Sequence, residues 1–459
     1  INSILGSSLF YLPSLGVISA GPGSLVAWAV LFVVALVILF YYAELIAQYP
    51  SSGGTYFFCK KAYGRFWSFM LGWLMWIVGN MGMGLSVVAA AEYLLPAKGQ
   101  STFILRAVFT LLWILILNYI AFRGMNASTK MLVGFGIVSL GFVAVIVVPT
   151  FIDFPTLLST GTLQSHFNSQ LFSPFFREVG WFPILGQLGV ALFLILEAFF
   201  GFDILAYMGD EVKDKQRMPR AMMMALLISG VIMLLFVLSS LGVVGYDEYT
   251  TNSRPYVAHA LATLGSWSEP LINLFMLVAI LGAAAGWPIV GSRLIQAMAE
   301  DGLFIKRFAE LHPKTKTPYK AIWWQTIMVT LFSAVIFYGY VANWVNPYKI
   351  VYVIYVLMSL IVLAFILWTI PLLRKKDPQK RLFTAPFPRA GPAVITLFLI
   401  ILVVNWVSKE GSVAIGTLRL STTFIILGIP LYFLIEMYYN KEAIQKMTAA
   451  LQPKPGDLG

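Results

Sequence analysis

The chain has 459 residues, of which 59% are hydrophobic and only 11% charged. Water-soluble domains are about 25% charged, so this composition excludes an ordinary soluble protein. The formal net charge of +11 comes from basic residues scattered over short segments with no aromatic-interleaved patch, which excludes a nucleic-acid footprint.

Uncharged runs long enough to cross a bilayer, which takes about 20 apolar residues, recur along the whole chain. In order, the spans fall at 1–20, 24–43, 66–91, 107–122, 131–152, 179–207, 221–246, 270–292, 321–348, 350–373, 390–408 and 420–435. The sixth starts uncharged and then carries two carboxylates, Glu197 and Asp203, around Gly201. The ninth leads into a turn at Asn346 and Pro347. An all-α membrane protein with twelve transmembrane helices is expected. Two loops, 152–178 and 247–269, are long enough to cover an entrance on one side. On the other side, 299–318 reads as a short amphipathic helix followed by a Pro-bounded turn. There is no separate soluble domain.

Lys and Arg counts in the loops set orientation. With the N-terminus inside, 23 of them lie in inner segments and 7 in outer ones, and Arg293 at the inner end of the eighth span completes the 31. Both termini are therefore expected in the cytoplasm, in a multi-pass protein of the cell (inner or plasma) membrane. The single cysteine, Cys59, falls in the first inner loop and leaves no intrachain disulfide. No signal-peptide pattern is present. The chain opens at Ile1, almost on top of a helix break, so a preceding segment is expected.

Two spans look interrupted. The first carries "LGSSLFYLP" (5–13) and the sixth "FFGFD" (199–203), five spans apart. Five is odd, so spans 1–5 and 6–10 would enter the membrane with opposite orientation. Interrupted helices in corresponding positions of two inverted halves point to a binding site near the bilayer midplane. The expected architecture is a LeuT-type 5+5 inverted repeat with helices 1 and 6 broken. Residues 1–151 form the first repeat, 179–373 the second, 390–438 the last two helices and 439–459 a cytoplasmic tail.

A broken helix exposes unpaired amides and carbonyls. The half-helix starting near Ser7 and Ser8 would aim its positive end at the cavity, holding an α-carboxylate through amides and hydroxyls. Free carbonyls near Leu5 and Phe200 would suit an α-ammonium group. That is a receptor for a zwitterion, and it needs no charged side chain. A charge at the centre of a span costs about 2.5–3.5 kcal/mol on insertion scales, so the two carboxylates need a further role. Around a regular helix they would lie about 240° apart; a break at Gly201 could aim both at one point. Either they bind a cationic substrate or one of them carries a proton. The bland alternatives are a Gly kept for close helix packing and a Glu197 solvated in a vestibule.

Trp76, Phe199, Phe202 and Trp287 are candidate gates. Tyr348, Tyr352 and Tyr355 share a helix face and could offer cation–π contacts to an amine. Aromatics are 15% of the chain, however, and most of them are packing or interfacial residues. Glu44 and Glu92 read as solvated residues at helix ends.

At these positions the chain resembles the amino acid–polyamine–organocation transporter superfamily. The similarity runs through "LGSSLFYLP", "YYAELIAQYPSSGGTYFFCKKAYG" (41–64), "GFDILAYMGDEVKDKQRMPRAM" (201–222) and "GSRLIQAMAEDGLF" (291–304). It is strongest toward the exchanger branch containing the arginine–agmatine and glutamate–GABA antiporters. There "WIVGN" (76–80) resembles the third helix, which implies that Asn80 touches substrate, and "GWPIVGS" (286–292) implies a substrate-facing Trp287. Asp203 falls where the superfamily usually has a Glu implicated in proton-linked gating. Glu197 falls where many relatives carry a gating Trp. The implied substrate set is Leu5, Gly6, Ser7, Ser8, Asn80, Glu197, Phe199, Phe200, Gly201, Phe202, Asp203 and Trp287, with Asp203 and Glu197 as proton-coupling candidates.

Two features of proton- or sodium-driven relatives are missing. Ser139 stands where proton-coupled members place a buried Lys, and "VAILGAAAG" (278–286) lacks the hydroxyls that a sodium ion would want. An exchanger of amino acids or polyamines that prefers cationic substrates is the expected function. A proton-coupled transporter of neutral amino acids is the alternative. A membrane enzyme is disfavoured, because His166, His259 and His312 lie far apart in loops and form no metal cluster. A binding-only receptor and a channel are the remaining classes. The expected partners are a small-molecule substrate and the lipid bilayer, with no nucleic acid and no cofactor or metal. Nothing in the sequence assigns an oligomeric state.

Overall fold

The computed structural model describes residues 11–49, 53–95, 100–199, 201, 217–251, 254–378, 381 and 383–450, and every regular element among them is helical. Eleven stretches are long and apolar enough to cross a bilayer. The first, Leu12–Gln48, is a pair of helices, α1 (Leu12–Ala20) and α2 (Ser24–Gln48), joined by a 3-10 turn at Gly21–Gly23. Gly21 sits at φ 61°, a left-handed conformation that a side chain would strain. The short α3 (Gly54–Tyr63) leads into α4 (Arg65–Leu94), followed by α5 (Gln100–Phe122), α6 (Met125–Phe151) and the short α7 (Phe154–Thr160). The next elements are α8 (Trp181–Ile195), α9 (Met218–Thr251), the short α10 (Pro255–Leu264), α11 (Ser268–Ala284) and α12 (Trp287–Glu300). The chain continues through α13 (Tyr319–Val341), α14 (Pro347–Lys376), α15 (Ala390–Glu410) and α16 (Ser412–Ala450).

Helix α4 is the central post. In its most apolar stretch 83% of residues are buried, against 17% in Ser412–Tyr439. Helices α3, α5, α11, α12, α13, α14 and α16 all pack on it. Between helices in lipid, small residues let backbones approach closely, and α4 supplies them. A methyl group on Gly72 would lie 2.6 Å from the Met298 sulfur of α12, and one on Gly84 would lie 3.1 Å from the Ser333 hydroxyl of α13. Helix α8 lies against α1, α2 and α15.

Contacts between loops sort them into two ends, as alternating spans require. At one end Lys60 pairs with Asp301 at 2.5 Å, Arg65 pairs with Glu436 at 2.5 Å, and the Thr317 hydroxyl donates to the Phe122 carbonyl at 3.2 Å. At the other end Arg254 donates to the Tyr93 carbonyl, Arg106 to the Leu95 carbonyl at 2.6 Å, and Lys349 pairs with Glu410 at 2.9 Å. Gly23 N–H donates to the Phe175 carbonyl at 2.8 Å, fastening the 152–178 loop to the α1–α2 turn.

Four expectations need correction. Glu44 is not solvated: it is 0% exposed, and Arg374 grips its two oxygens at 2.9 and 2.6 Å. The Ala385 amide donates to it at 2.7 Å, and Arg381 stands 3.4 Å away. The segment after α14 folds over the end of α2 and replaces the expected water with guanidinium groups. Glu92 is half-buried rather than solvated, and one of its oxygens is buried without a hydrogen-bond partner among the described residues. The 270–292 span is two helices, because Pro288 cannot donate to the carbonyl four residues back and the chain turns at 285–286. In 299–318 the only regular element is a 3-10 turn at Lys306–Ala309, because α12 itself runs on to Glu300.

Candidate functional site

The site is built on one face of α4. Gly79 and Gly82 are three residues apart, about 4.5 Å along the axis, and each receives an aromatic ring. A methyl group on Gly79 would lie 2.2 Å from the Trp287 indole, and one on Gly82 would lie 3.1 Å from the Tyr355 ring. The first ring comes from the start of α12, which the break before Pro288 sets in place. The second comes from α14.

Trp287 is held from three sides. Its indole N–H donates to Asn80 Oδ1 at 3.3 Å, and its carbonyl accepts from Gln325 Nε2 of α13 at 3.3 Å. Asn80 is fully buried, and its own amide donates back to the Trp76 carbonyl at 2.7 Å. An amide engaged at both ends fixes the ring orientation. Gln325 is also fully buried, and its Oε1 has no hydrogen-bond partner among the described residues.

The Tyr355 hydroxyl donates to Glu197 Oε1. Regular α-helix ends at Ile195, and residues 196–199 tighten into a 3-10 turn. Such a change of pitch frees a carbonyl from the α pattern, and the Tyr352 hydroxyl donates to the Leu194 carbonyl at 2.5 Å. Tyr348 and Tyr352 in turn pack edge-on against Tyr11, with centroids 4.9 and 5.8 Å away. The three tyrosines of α14 thus tie α1 and the end of α8 together. At about three residues per 3-10 turn, Glu197 and Phe199 point about 120° apart. Phe199 is buried against Trp28 and Phe32 of α2.

Gly79, Gly82, Glu197, Trp287 and Tyr355 all keep accessible surface, although most of their neighbours on α4, α8 and α14 are buried. Trp76 does not; it is buried and stacks on Trp324 with the ring planes 6° apart. Gly201 is half-buried just beyond the 3-10 turn. Leu5, Gly6, Ser7, Ser8, Phe200, Phe202 and Asp203 lie outside the described residues. Ser139 is buried and donates to the Phe135 carbonyl at 2.9 Å.

The structure thus joins Asn80 with Trp287, and Glu197 with a tyrosine already under consideration. Sequence reasoning missed Gly79, Gly82, Gln325 and Tyr11. The glycine spacing and the lone amide in an apolar span were the available signals. Among the described residues no group of three or more His, Cys, Asp or Glu is placed to hold a metal.

At the end opposite Glu44, His259 of α10 is fully buried. Its Nε2 lies 3.1 Å from the Ile146 carbonyl and 3.0 Å from the Thr150 hydroxyl, while Nδ1 has no hydrogen-bond partner among the described residues. The carbonyl requires a donor, so Nε2 carries the proton. Burial disfavours the charged ring and pushes its pKa down to about 4.

The amino acid permease family model matches residues 1–434. The chain belongs to the amino acid permease family. Among similar proteins is the branched-chain amino acid permease BcaP of Bacillus subtilis (strain 168), 25% identical over 96% of this chain and 91% of that one. The arginine/ornithine antiporter of Pseudomonas aeruginosa is 23% identical over 74% of this chain and 69% of its own length. The methylthioribose transporter of Bacillus subtilis (strain 168) is 26% identical over 91% and 89%. This permease is accordingly a multi-pass membrane transporter of amino acids, not an enzyme.

Proposed function

We propose that this permease is an exchanger of amino acids or polyamines that prefers cationic substrates and works by alternating access. The observation that carries the reading is Glu197, a partly accessible carboxylate held by a neutral phenol where α8 changes pitch. A phenol fixes the carboxylate without cancelling its charge. A substrate ammonium or guanidinium would pair with this carboxylate, with the Trp287 and Tyr355 rings beside it for cation–π contact. The neighbouring segments carrying Leu5, Gly6, Ser7 and Ser8, and Phe200, Phe202 and Asp203, would supply the zwitterion receptor and a second acid. Asn80 acts by positioning Trp287.

The architecture that goes with this reading has twelve spans. Residues 1–151 and 179–373 are inverted repeats, 390–438 forms the last two helices, and 439–459 is a cytoplasmic tail. The end bearing Lys60, Arg65 and Arg374 faces the cytoplasm of a plasma-membrane protein, in line with the inward bias of basic residues. The self-bonded Ser139 leaves no lysine at that point of α6 to replace a coupling cation, which favours exchange. The similarity to a branched-chain amino acid permease favours a second reading, proton-coupled uptake of neutral amino acids with Glu197 as the proton carrier.

Proteoliposome uptake of labelled arginine, putrescine and leucine, with and without unlabelled substrate inside, separates the two. Uptake of the cations only into preloaded vesicles is the expected result. Leucine uptake into empty vesicles, faster at acid outside pH, would replace exchange by the second reading.

A further inference from the structure

The end of the molecule that carries Glu44 also holds an open pocket of about 550 Å³ between the end of α14 and the start of α15. Its wall includes Pro371, Arg374, Lys375, Phe387, Arg389 and Ala390, with three cations and no acid. Arg374 is committed to Glu44, but Arg381 also stands at that carboxylate, so the ion cluster is itself net positive. Lys375 and Arg389 are exposed, and among the described residues neither forms an ion pair. The nearby Asp377 accepts from the Tyr49 hydroxyl at 2.8 Å. Ala390 opens α15, so the positive end of a 21-residue helix adds to the same field.

The pocket also has an apolar exit. It lies where one candidate membrane span, Pro347–Lys376, ends and the next, Ala390–Glu410, begins, which on the proposed topology is the level of lipid headgroups. Phe387 is 75% exposed at its rim, and Val394, Leu397 and Ile401 continue from it along the exposed side of α15. Their spacing keeps them on one helix face. A soluble anion would use the cations alone; a lipid would use both the cations and this stripe.

We propose that this pocket binds the phosphate of an anionic membrane lipid, with Lys375 and Arg389 as the headgroup ligands and the α15 stripe under an acyl chain. Basic pockets between helices at the cytoplasmic face have this chemistry.

The test uses the full chain, delipidated in detergent, with phosphatidylglycerol or phosphatidylcholine added back and bound lipid counted by native mass spectrometry. Wild type should retain phosphatidylglycerol over phosphatidylcholine. Lys375→Gln with Arg389→Gln should lower that affinity about 25-fold, from about five-fold for each charge removed. Arg374 is left intact because it holds Glu44. Lys409→Gln, at the other end of α15, should change nothing. Lys375→Arg with Arg389→Lys should keep the lipid, and loss there too would mean that packing, not charge, was disturbed, overturning the assignment. Equal retention of both lipids by wild type, or of phosphatidylglycerol by the double Gln variant, would also overturn it. A parallel thermal-shift titration with inorganic phosphate separates the sources. Phosphate stabilising wild type but not the double Gln variant, with phosphatidylglycerol adding nothing, would make this a soluble-phosphate site instead.

Discussion

Two glutamates of this permease show opposite ways of keeping a carboxylate away from bulk water. Glu44 is wholly buried and met by two guanidinium groups and a backbone amide. Glu197 is half-buried and receives a phenol hydroxyl. The first arrangement uses the charge to fasten α2 to α14 and the segment beyond. The second holds the side chain where α8 changes pitch. Sequence position marks Glu44 as a helix-end acid and Glu197 as a mid-span one, and gives no hint of the guanidinium groups that meet the first.

The contrast breaks most sharply at Glu44. Removing one partner of a buried ion pair costs about 3–5 kcal/mol, so Glu44→Gln should cut stability by about that much. Denaturation in detergent should show it, with substrate selectivity unchanged in whatever protein survives. A selectivity change at native-like stability would show that Glu44 belongs to the transport site.

Glu197→Gln should do the reverse. A lost charge-assisted contact is worth about 1.5–3 kcal/mol, which is roughly a 10- to 100-fold loss in kcat/KM for arginine relative to leucine. An equal loss for both substrates would sink the charge-pairing role.

Neighbouring glycines on α4 sharpen the picture. Gly79→Ala places a methyl group 2.2 Å from Trp287, where the indole has to move, whereas Gly82→Ala meets Tyr355 at 3.1 Å, which a small shift relieves. Overpacking costs about 1–3 kcal/mol, so transport should fall at least ten-fold for the first and only a few-fold for the second. The reverse order, read from initial uptake rates, would mean that Trp287 does not border the substrate space.

His259 supplies a third solution to burial, which is to carry no charge. Its folded pKa, about 4, lies below the usual 6.5 or so, so the folded state binds fewer protons in that interval. Its contribution is complete above about pH 6.5 and is lost as pH falls toward 4. The melting temperature should decline over that window, and His259→Gln, which keeps a donor near the Ile146 carbonyl, should flatten the decline. An identical slope in the variant would assign the acid sensitivity elsewhere.

Most of the spans were legible because lipid allows few alternatives: backbone groups must pair within a helix and side chains must be apolar. Trp287 was legible through a short motif. Of the groups that fix it, Gly79 and Gln325 were not, because Gly79 could equally be a packing residue and Gln325 a lone amide anywhere on α13. The sequence placed a break at Gly201, yet regular α-helix already ends at Ile195; a change of pitch leaves no compositional mark in so apolar a run. Glu44 was misread because a helix-end acid looks the same whether water or a distant loop covers it.

The pairing of Glu44 with Arg374 spans 330 residues, and that distance is also an interval of time. At about 5–20 residues per second, roughly 15–65 s separate the synthesis of the acid from that of its partner. Throughout that interval Glu44 lacks both of the guanidinium groups that meet it in the folded protein. The ion pair can therefore form only after α14 has been made. A chain terminated before Arg374 would present an unclosed bundle to the quality-control machinery of the membrane.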